Sequence, residues 1–444
     1  MQRAWRASVL AAVLPAAALL VMAGPARAEW EGRASANLSE GATTNALAAP
    51  DGSSAVGADE FTTLRAGLSG NYTGLRQGQA LGYTYSATFY ANHPEGNAQN
   101  HLLDWSLEAT PTADLTLHVA AAGTYGMLNS ISPIAAAVAL EPSVGTTVQV
   151  GAQPTGALTY YSANAFLGGS YKPTQSLLFQ ETTIFTTFQP TTTGEVPSSF
   201  AFSEVLRHEH DWPHGALSVD LSGGYMHSDA LTTITDIDLL DTVNGFKIPE
   251  VSTVPLELMG GWRREFTPRL SSSAEVGALA LHSFITGVTN VGPAARVQAG
   301  YQNLVSFADL LLAHQPQLNV FVGQTFVSDS ASLRAALLLD RKQRFRVVAF
   351  AVAQHNSVLG AGGLSSALDV LSADVGFAYH PIAYPVQAAV EYSGTDQIGH
   401  RTGASSFPDL HRQVIMLTLT AAFGTNAPWG VAGAGELAPA ATMH

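Results

Sequence analysis

Residues 81–91 read LGYTYSATFYA, and their period is two. Leu81, Tyr83, Tyr85, Ala87 and Phe89 fall on one face, and Gly82, Thr84, Ser86, Thr88 and Tyr90 on the other. Successive side chains of an extended strand point to opposite sides, so this stretch predicts a strand with one apolar and one polar face. The same alternation recurs outward along the chain. Residues 62–72 (TTLRAGLSGNY) set Leu64, Ala66, Leu68, Gly70 and Tyr72 against Thr63, Arg65, Gly67, Ser69 and Asn71. Residues 115–125 set Leu115, Leu117, Val119, Ala121 and Tyr125 against Thr116, His118, Ala120 and Thr124. Segments of about ten residues, apolar on one side and polar on the other, are the signature of transmembrane β-barrel strands. A secreted β-sandwich or β-solenoid shares the alternation, so the connections must decide.

Eighteen strands follow from the alternation, at about 29–39, 60–72, 79–92, 100–110, 114–127, 157–171, 175–188, 198–211, 216–228, 250–266, 270–284, 293–313, 317–328, 332–341, 344–356, 367–379, 384–394 and 410–423. Their connections alternate in kind. Long polar or Gly/Ala-rich gaps include 40–59, 128–156, 229–249, 357–366 and 395–409, and short ones lie between them. Short periplasmic turns facing long extracellular loops are what an outer-membrane barrel shows, and a sandwich gives no reason for them. Six of the eight short gaps carry Pro: Thr110-Pro111-Thr112, Lys172-Pro173-Thr174, Trp212-Pro213-His214, Thr267-Pro268-Arg269, Gln315-Pro316-Gln317 and His380-Pro381-Ile382. Pro fixes φ and cannot donate to a ladder, which suits a turn and not a central strand. Tyr72, Tyr83, Tyr171, Trp212, Phe266 and Tyr379 sit near these turns, as an interfacial aromatic girdle would. The expected fold is all-β, a transmembrane antiparallel up-and-down barrel of about 18 strands with both ends in the periplasm.

Composition agrees. Charged residues are 12% of the 444, about half the ~25% usual in soluble domains, while the apolar share of 46% is ordinary. A lipid-facing wall removes charge from half of every strand. The 20 basic against 34 acidic residues give a net charge of −14, the wrong sign for a nucleic-acid binder. The chain has no cysteine, so disulfides, thiolate metal sites and Cys nucleophiles are excluded.

Arg3 and Arg6 precede an apolar run at 8–23, and Ala26-Arg27-Ala28 fits the small-x-small cleavage rule, so residues 1–28 read as a signal peptide. Losing Arg3, Arg6 and Arg27 would take the net charge from −14 to −17. Residues 29–423 form the barrel, and 424–444 are an Ala/Gly/Pro-rich tail. The outer membrane is the expected location.

No constellation carries catalysis, and neither an enzyme nor a cofactor is expected. No Gly-x-Ser-x-Gly elbow or phosphate-binding loop is present. His208-Glu209-His210 is the most metal-like run, without a third ligand nearby, and Asp236, Asp238 and Asp241 form an acidic loop without a calcium-binding frame. No metal site is assigned. What remains is the polar face, which becomes the wall of a lumen wide enough to conduct at this strand number. Candidate lumen-lining residues are Arg65, Tyr90, His118, Asn164, Asp220, Glu257, Arg263, Glu275, Arg334, Arg346, Asp374, Glu391 and Arg412. The 128–156 loop, with its apolar centre Ile131–Leu140, is the candidate to fold inward, and Tyr90 and Tyr160 could stack on sugars.

The strand HRQVIMLTLTAAF, ending at Phe423, resembles the closing strand of bacterial outer-membrane proteins, though a tail follows it. The recurrent aromatic–Pro grammar of 168–180, 263–276 and 376–392, with the opening SANLSEGATTNALAAP (35–50), resembles outer-membrane barrel families associated with exopolysaccharide and capsule assembly and export. That resemblance implies translocation of a secreted polysaccharide, with the polymer as cargo and periplasmic export proteins as partners besides outer-membrane lipid. A general diffusion porin for small solutes is the alternative, and a plugged structural barrel the third reading.

Overall fold

In the computed structural model, residues 29–47, 51, 57–128, 158–191, 198–230, 250–319, 324–340, 344–360, 363–381, 385–400 and 409–424 are described. The signal-peptide segment, the tail beyond Gly424, the Ile131–Leu140 stretch and Asp236, Asp238 and Asp241 lie outside the described residues. Eighteen strands pair in sequence order, each antiparallel to the next. They are β1 (Glu29–Thr43), β2 (Asp59–Thr73), β3 (Gln77–Tyr90), β4 (Ala98–Thr112), β5 (Leu115–Leu128), β6 (Leu158–Thr174), β7 (Leu177–Pro190), β8 (Ser199–Trp212) and β9 (Gly215–Ser228), then β10 (Val251–Thr267), β11 (Leu270–Ser283), β12 (Thr289–Gln302), β13 (Ser306–Asn319), β14 (Gln324–Leu338), β15 (Phe345–Gly360), β16 (Gly363–Tyr379), β17 (Val386–Gly399) and β18 (Leu410–Gly424). β1 pairs with β18 from Arg33↔Gly424 to Thr43↔Val414, which closes the sheet into a barrel without an edge.

Exposure separates the two faces. Leu68, Leu103, Leu167, Leu217, Leu258 and Val276 are 50% exposed or more, whereas Asn37, Glu209, Asp220, Glu275 and Arg412 on the alternate positions are buried. A water-soluble barrel would show the reverse, so the outward face is a lipid-facing one and the barrel is of the outer-membrane type. Tyr72, Tyr171, Trp212, Phe266 and Tyr379 all share the outward face near the rim that carries the chain ends. Towards the opposite rim a second outward cluster joins Tyr83, His101, Tyr125 and Tyr161, with the Tyr125 and Tyr161 rings stacked at 4.7 Å. Tyr83 lies nearer mid-strand than expected, its hydroxyl 2.8 Å from His101 Nδ1. Glu181 and Glu204, diagonal neighbours on β7 and β8, are acidic departures on this apolar wall.

The proline turns work through the ladder. Pro111 and Pro173 sit where the register shifts, between Ala109 and Thr112 and between Tyr171 and Thr174. A residue without an N–H fits a bulge, and the chain reverses just beyond it. At Trp212-Pro213-His214, His214 takes φ 92°, the left-handed position that turns usually give to Gly or Asn.

One turn is misplaced in the sequence reading. Gln315-Pro316-Gln317 lies inside β13, and the expected strands 293–313, 317–328 and 332–341 are replaced by β12, β13 and β14, with the turn at 303–305. The β12–β13 ladder runs only from Gln302↔Phe307 to Ala295↔His314. Pro293 and Pro316 stand just past its end, where no bond to the neighbouring strand is demanded of them. Above that point the β14 strand leans over the lumen. Val327 is buried with Met259, Leu279, Leu281 and Ala294, which come from the inward faces of β10–β12. The expected long gap 357–366 is likewise mostly strand, since β15 and β16 pair up to Gly360↔Gly363.

The turn after β14 carries its own ionic lock, outside the membrane-spanning segments. Asp340 accepts from Arg344 Nε at 2.8 Å and from the Arg344 backbone N–H at 2.6 Å. The Arg344 side chain, followed by the backbone N–H groups of Phe345 and Arg344, holds the Asp340 carboxyl below the ordinary carboxylate range. A depressed folded-state pKa contributes stability that is present above the unfolded value near 4 and lost as pH falls through the folded one. Asp340→Asn should therefore lower stability slightly at neutral pH and leave the most acidic region nearly unchanged, flattening the acid limb of the stability–pH profile, a result read by thermal melts across pH.

Candidate functional site

The inward positions of β8–β13 carry a ladder of opposite charges. Arg207 on β8 lies at its centre, 3.3 Å from Glu209, 3.5 Å from Asp220 and 3.3 Å from Glu275. Arg263 on β10 reaches Glu209 at 2.8 Å and Asp211 at 3.1 Å, and Lys172 on β6 meets Asp211 at 3.3 Å. Arg296 on β12 donates to Glu275 at 2.7 Å and to Gln315 on β13 at 3.0 Å. The register explains the assembly. Arg207↔Asp220 and Glu275↔Arg296 are direct cross-strand pairs, and Gly261, opposite Glu275, leaves room between them. Like Gly82 beside Asp104, Gly261 is a close approach where an added Cβ would meet side chains.

Four cations (Lys172, Arg207, Arg263, Arg296) face five carboxylates (Glu209, Asp211, Asp220, Glu257, Glu275) in this ladder. Glu257 lies on the same wall, 3.5 Å from Ser222. Asp220 Oδ1, Glu257 Oε1 and Arg296 Nε are buried without a hydrogen-bond partner among the described residues. Buried polar atoms in native proteins are nearly always satisfied, so these three point to water or a polar solute in the lumen.

All thirteen lumen candidates fall on the inward face, and the structure distributes them in four groups. Asp220, Glu257, Arg263 and Glu275 belong to the ladder wall. Arg334, Arg346, Asp374 and Glu391 occupy the wall of β14–β17, with Asp309 directly across from Arg334. Arg65 and Arg412 lie near the closure, where Arg412 donates to the Tyr90 hydroxyl at 3.1 Å and to Thr43 Oγ1 at 3.3 Å. His118 packs edge-on to Phe166 at 5.2 Å, and Asn164 lies across from Thr186.

Alternation alone could have found Lys172, Arg207, Glu209, Asp211, Arg296 and Gln315, which the sequence reading missed. Glu209 was grouped with its neighbours, yet His208 and His210 point outward while Glu209 points inward. Arg296 lay in the stretch whose strands were misplaced. Tyr90 and Tyr160 are not open platforms. Tyr90 is buried against Phe61 at 5.8 Å, and Tyr160 is stacked on Phe188 at 5.4 Å.

No protein-family model matches the chain, and no curated protein matches it. Solved structures similar in fold include Pseudomonas aeruginosa OccK2 (OpdF), at 9% identity, covering 90% of this chain and 99% of that one, with a TM-score of 0.43. The ferric-catecholate import receptor Fiu of E. coli K12 aligns at 11% identity over 90% of this chain and 82% of its own, with a TM-score of 0.45. Acinetobacter baumannii OccAB2 aligns at 11% over 89% and 98%, with a TM-score of 0.43.

Proposed function

We propose that this outer-membrane barrel channel passes small polar solutes. The Arg207-centred ladder carries the reading. A lumen wall with alternating buried charges and three polar atoms left for a solute or water is suited to hydrophilic cargo. Carboxylates exceed cations by one in the ladder, and acidic residues exceed basic ones in the whole chain, 34 to 20. Both favour a mild preference for cations.

This reading takes precedence over export of a polysaccharide. Sugar polymers are commonly guided by exposed aromatic faces, and the two tyrosines offered for that role are buried against other rings. Polymer passage therefore rests on the aromatic–Pro turns and the opening 35–50 segment, and the aromatics beside those turns point outward, away from the lumen.

The purified full-length barrel in a planar bilayer should give single-channel steps in potassium chloride, with a reversal potential of cation-selective sign under a salt gradient. Release of oligosaccharide from vesicles without any passage of small ions would overturn the assignment.

A further inference from the structure

Among the described residues of the outward face, the aromatic cluster of the upper rim does not continue across β13–β18. Across β13–β18 its place is taken by alternating imidazoles and carboxylates. His314, Asp329, His355 and Asp369 are consecutive cross-strand partners on β13, β14, β15 and β16. Asp396 and His411 continue the row as a pair on β17 and β18. Charged groups on a lipid-facing wall are costly, and six in one row at the level of the headgroups ask for a chemical reason.

We propose that His355, Asp369 and His400 form a binding site for a divalent transition-metal ion of the zinc class. His355 Nδ1 lies 2.6 Å from Asp369 Oδ1, and His400 Nε2 lies 2.8 Å from Asp369 Oδ2. One atom from each residue can be chosen so that all three lie within 4.8 Å of one another. Two imidazoles and one carboxylate are a preferred donor set for such ions, at about 2.0–2.2 Å from the metal. A tetrahedral site needs ligand atoms about 3.3 Å apart at those bond lengths. The two histidine contacts go to different oxygens of Asp369 and are shorter than that spacing, so assembly requires both imidazoles to turn towards one metal position as the hydrogen bonds open. In the observed hydrogen bonds His355 Nδ1–H and His400 Nε2–H donate to the Asp369 carboxylate, so binding frees those lone pairs by moving each neutral imidazole's proton to its other nitrogen.

The surroundings suit the role. All three side chains are partly exposed, so an ion can reach them from the headgroup region. The small side chains of Ala295, Ala331 and Ala353 floor an outward groove of 730 Å³ that His355 and Asp369 also line. Asp329, directly across from His355 in register, is itself 2.6 Å from His314 Nδ1. A plain hydrogen-bonded triad would explain the two short contacts, but not why the row displaces the aromatic belt.

Titration of the full-length barrel in detergent micelles with Co²⁺, followed by visible absorption, tests the site. One equivalent should bind with the intensity of a low-coordinate nitrogen/oxygen site and be displaced by Zn²⁺. The double variant His355→Ala/His400→Ala should weaken binding about 100-fold or more, while His208→Ala/His210→Ala should not change it. Heat-modifiable migration on gels, which reports barrel folding without metal, separates loss of the site from loss of the fold. Absence of stoichiometric Co²⁺ binding to the parent barrel, or unchanged binding by a folded His355→Ala/His400→Ala variant, would overturn the proposal.

Discussion

Arg207→Met should destabilise the barrel by about 3–5 kcal/mol, because it keeps the side-chain volume and removes the one cation shared by three buried carboxylates. Glu209, Asp220 and Glu275 are each buried, and Arg207 lies within 3.5 Å of all three. Arg263 and Arg296 remain to partner Glu209 and Glu275, but Asp220 keeps no ion-pair partner among the described residues. Denaturant unfolding in detergent or lipid reads the loss. The same variant should move the reversal potential further towards cations, since one positive charge has left the lumen wall. Adding Asp220→Asn should recover part of both effects, a coupling expected of side chains in direct contact. A cost below about 1 kcal/mol would mean that the ladder is fully solvated and holds nothing together.

The second large effect lies on the other side of the wall. Leu258 sits near the middle of β10, is 55% exposed, and lies between Leu221 and Ala278 on neighbouring strands. Placed in hydrocarbon, an arginine there costs about 2–4 kcal/mol. Leu258→Arg should lower folding stability in lipid vesicles by that amount and leave conductance of the folded fraction unchanged. Glu257→Gln, one residue away and pointing inward, should do the opposite. It should alter ion selectivity while changing stability little, because the strand reverses its chemistry at every step.

That reversal is also why so much of the fold was legible. Strands such as β3 and β5 declare both faces in a run of ten residues, because lipid selects one and the lumen the other. The closing turns were legible wherever Pro marked a bulge, as at Pro111 and Pro173. Legibility failed at Pro316. There the same residue stands beyond the end of the β12–β13 ladder while still paired with Val327 of β14, and a proline released on one side only cannot be told by sequence from a proline in a turn.

The lumen residues were legible singly and not as a site. Arg207 and Glu275 are 68 positions apart, and only the staggered register of four strands, β8 to β11, brings them to 3.3 Å. The same holds outside the barrel, where His355, Asp369 and His400 lie 14 and 31 positions from one another along the chain yet share one patch. Local alternation fixes a side chain's face but carries no information on its height, and height decides which charges meet.

The absence of cysteine makes the central claim directly testable. Gln298 on β12 points inward and is exposed, while its neighbour Val297, 39% exposed, points outward. Single-channel recordings of Gln298→Cys and Val297→Cys should be made before and after a charged, membrane-impermeant thiol reagent. The current through Gln298→Cys should fall on modification, and that through Val297→Cys should not change. Equal responses at the two positions, or no current through either, would contradict a water-filled path along this face of the barrel.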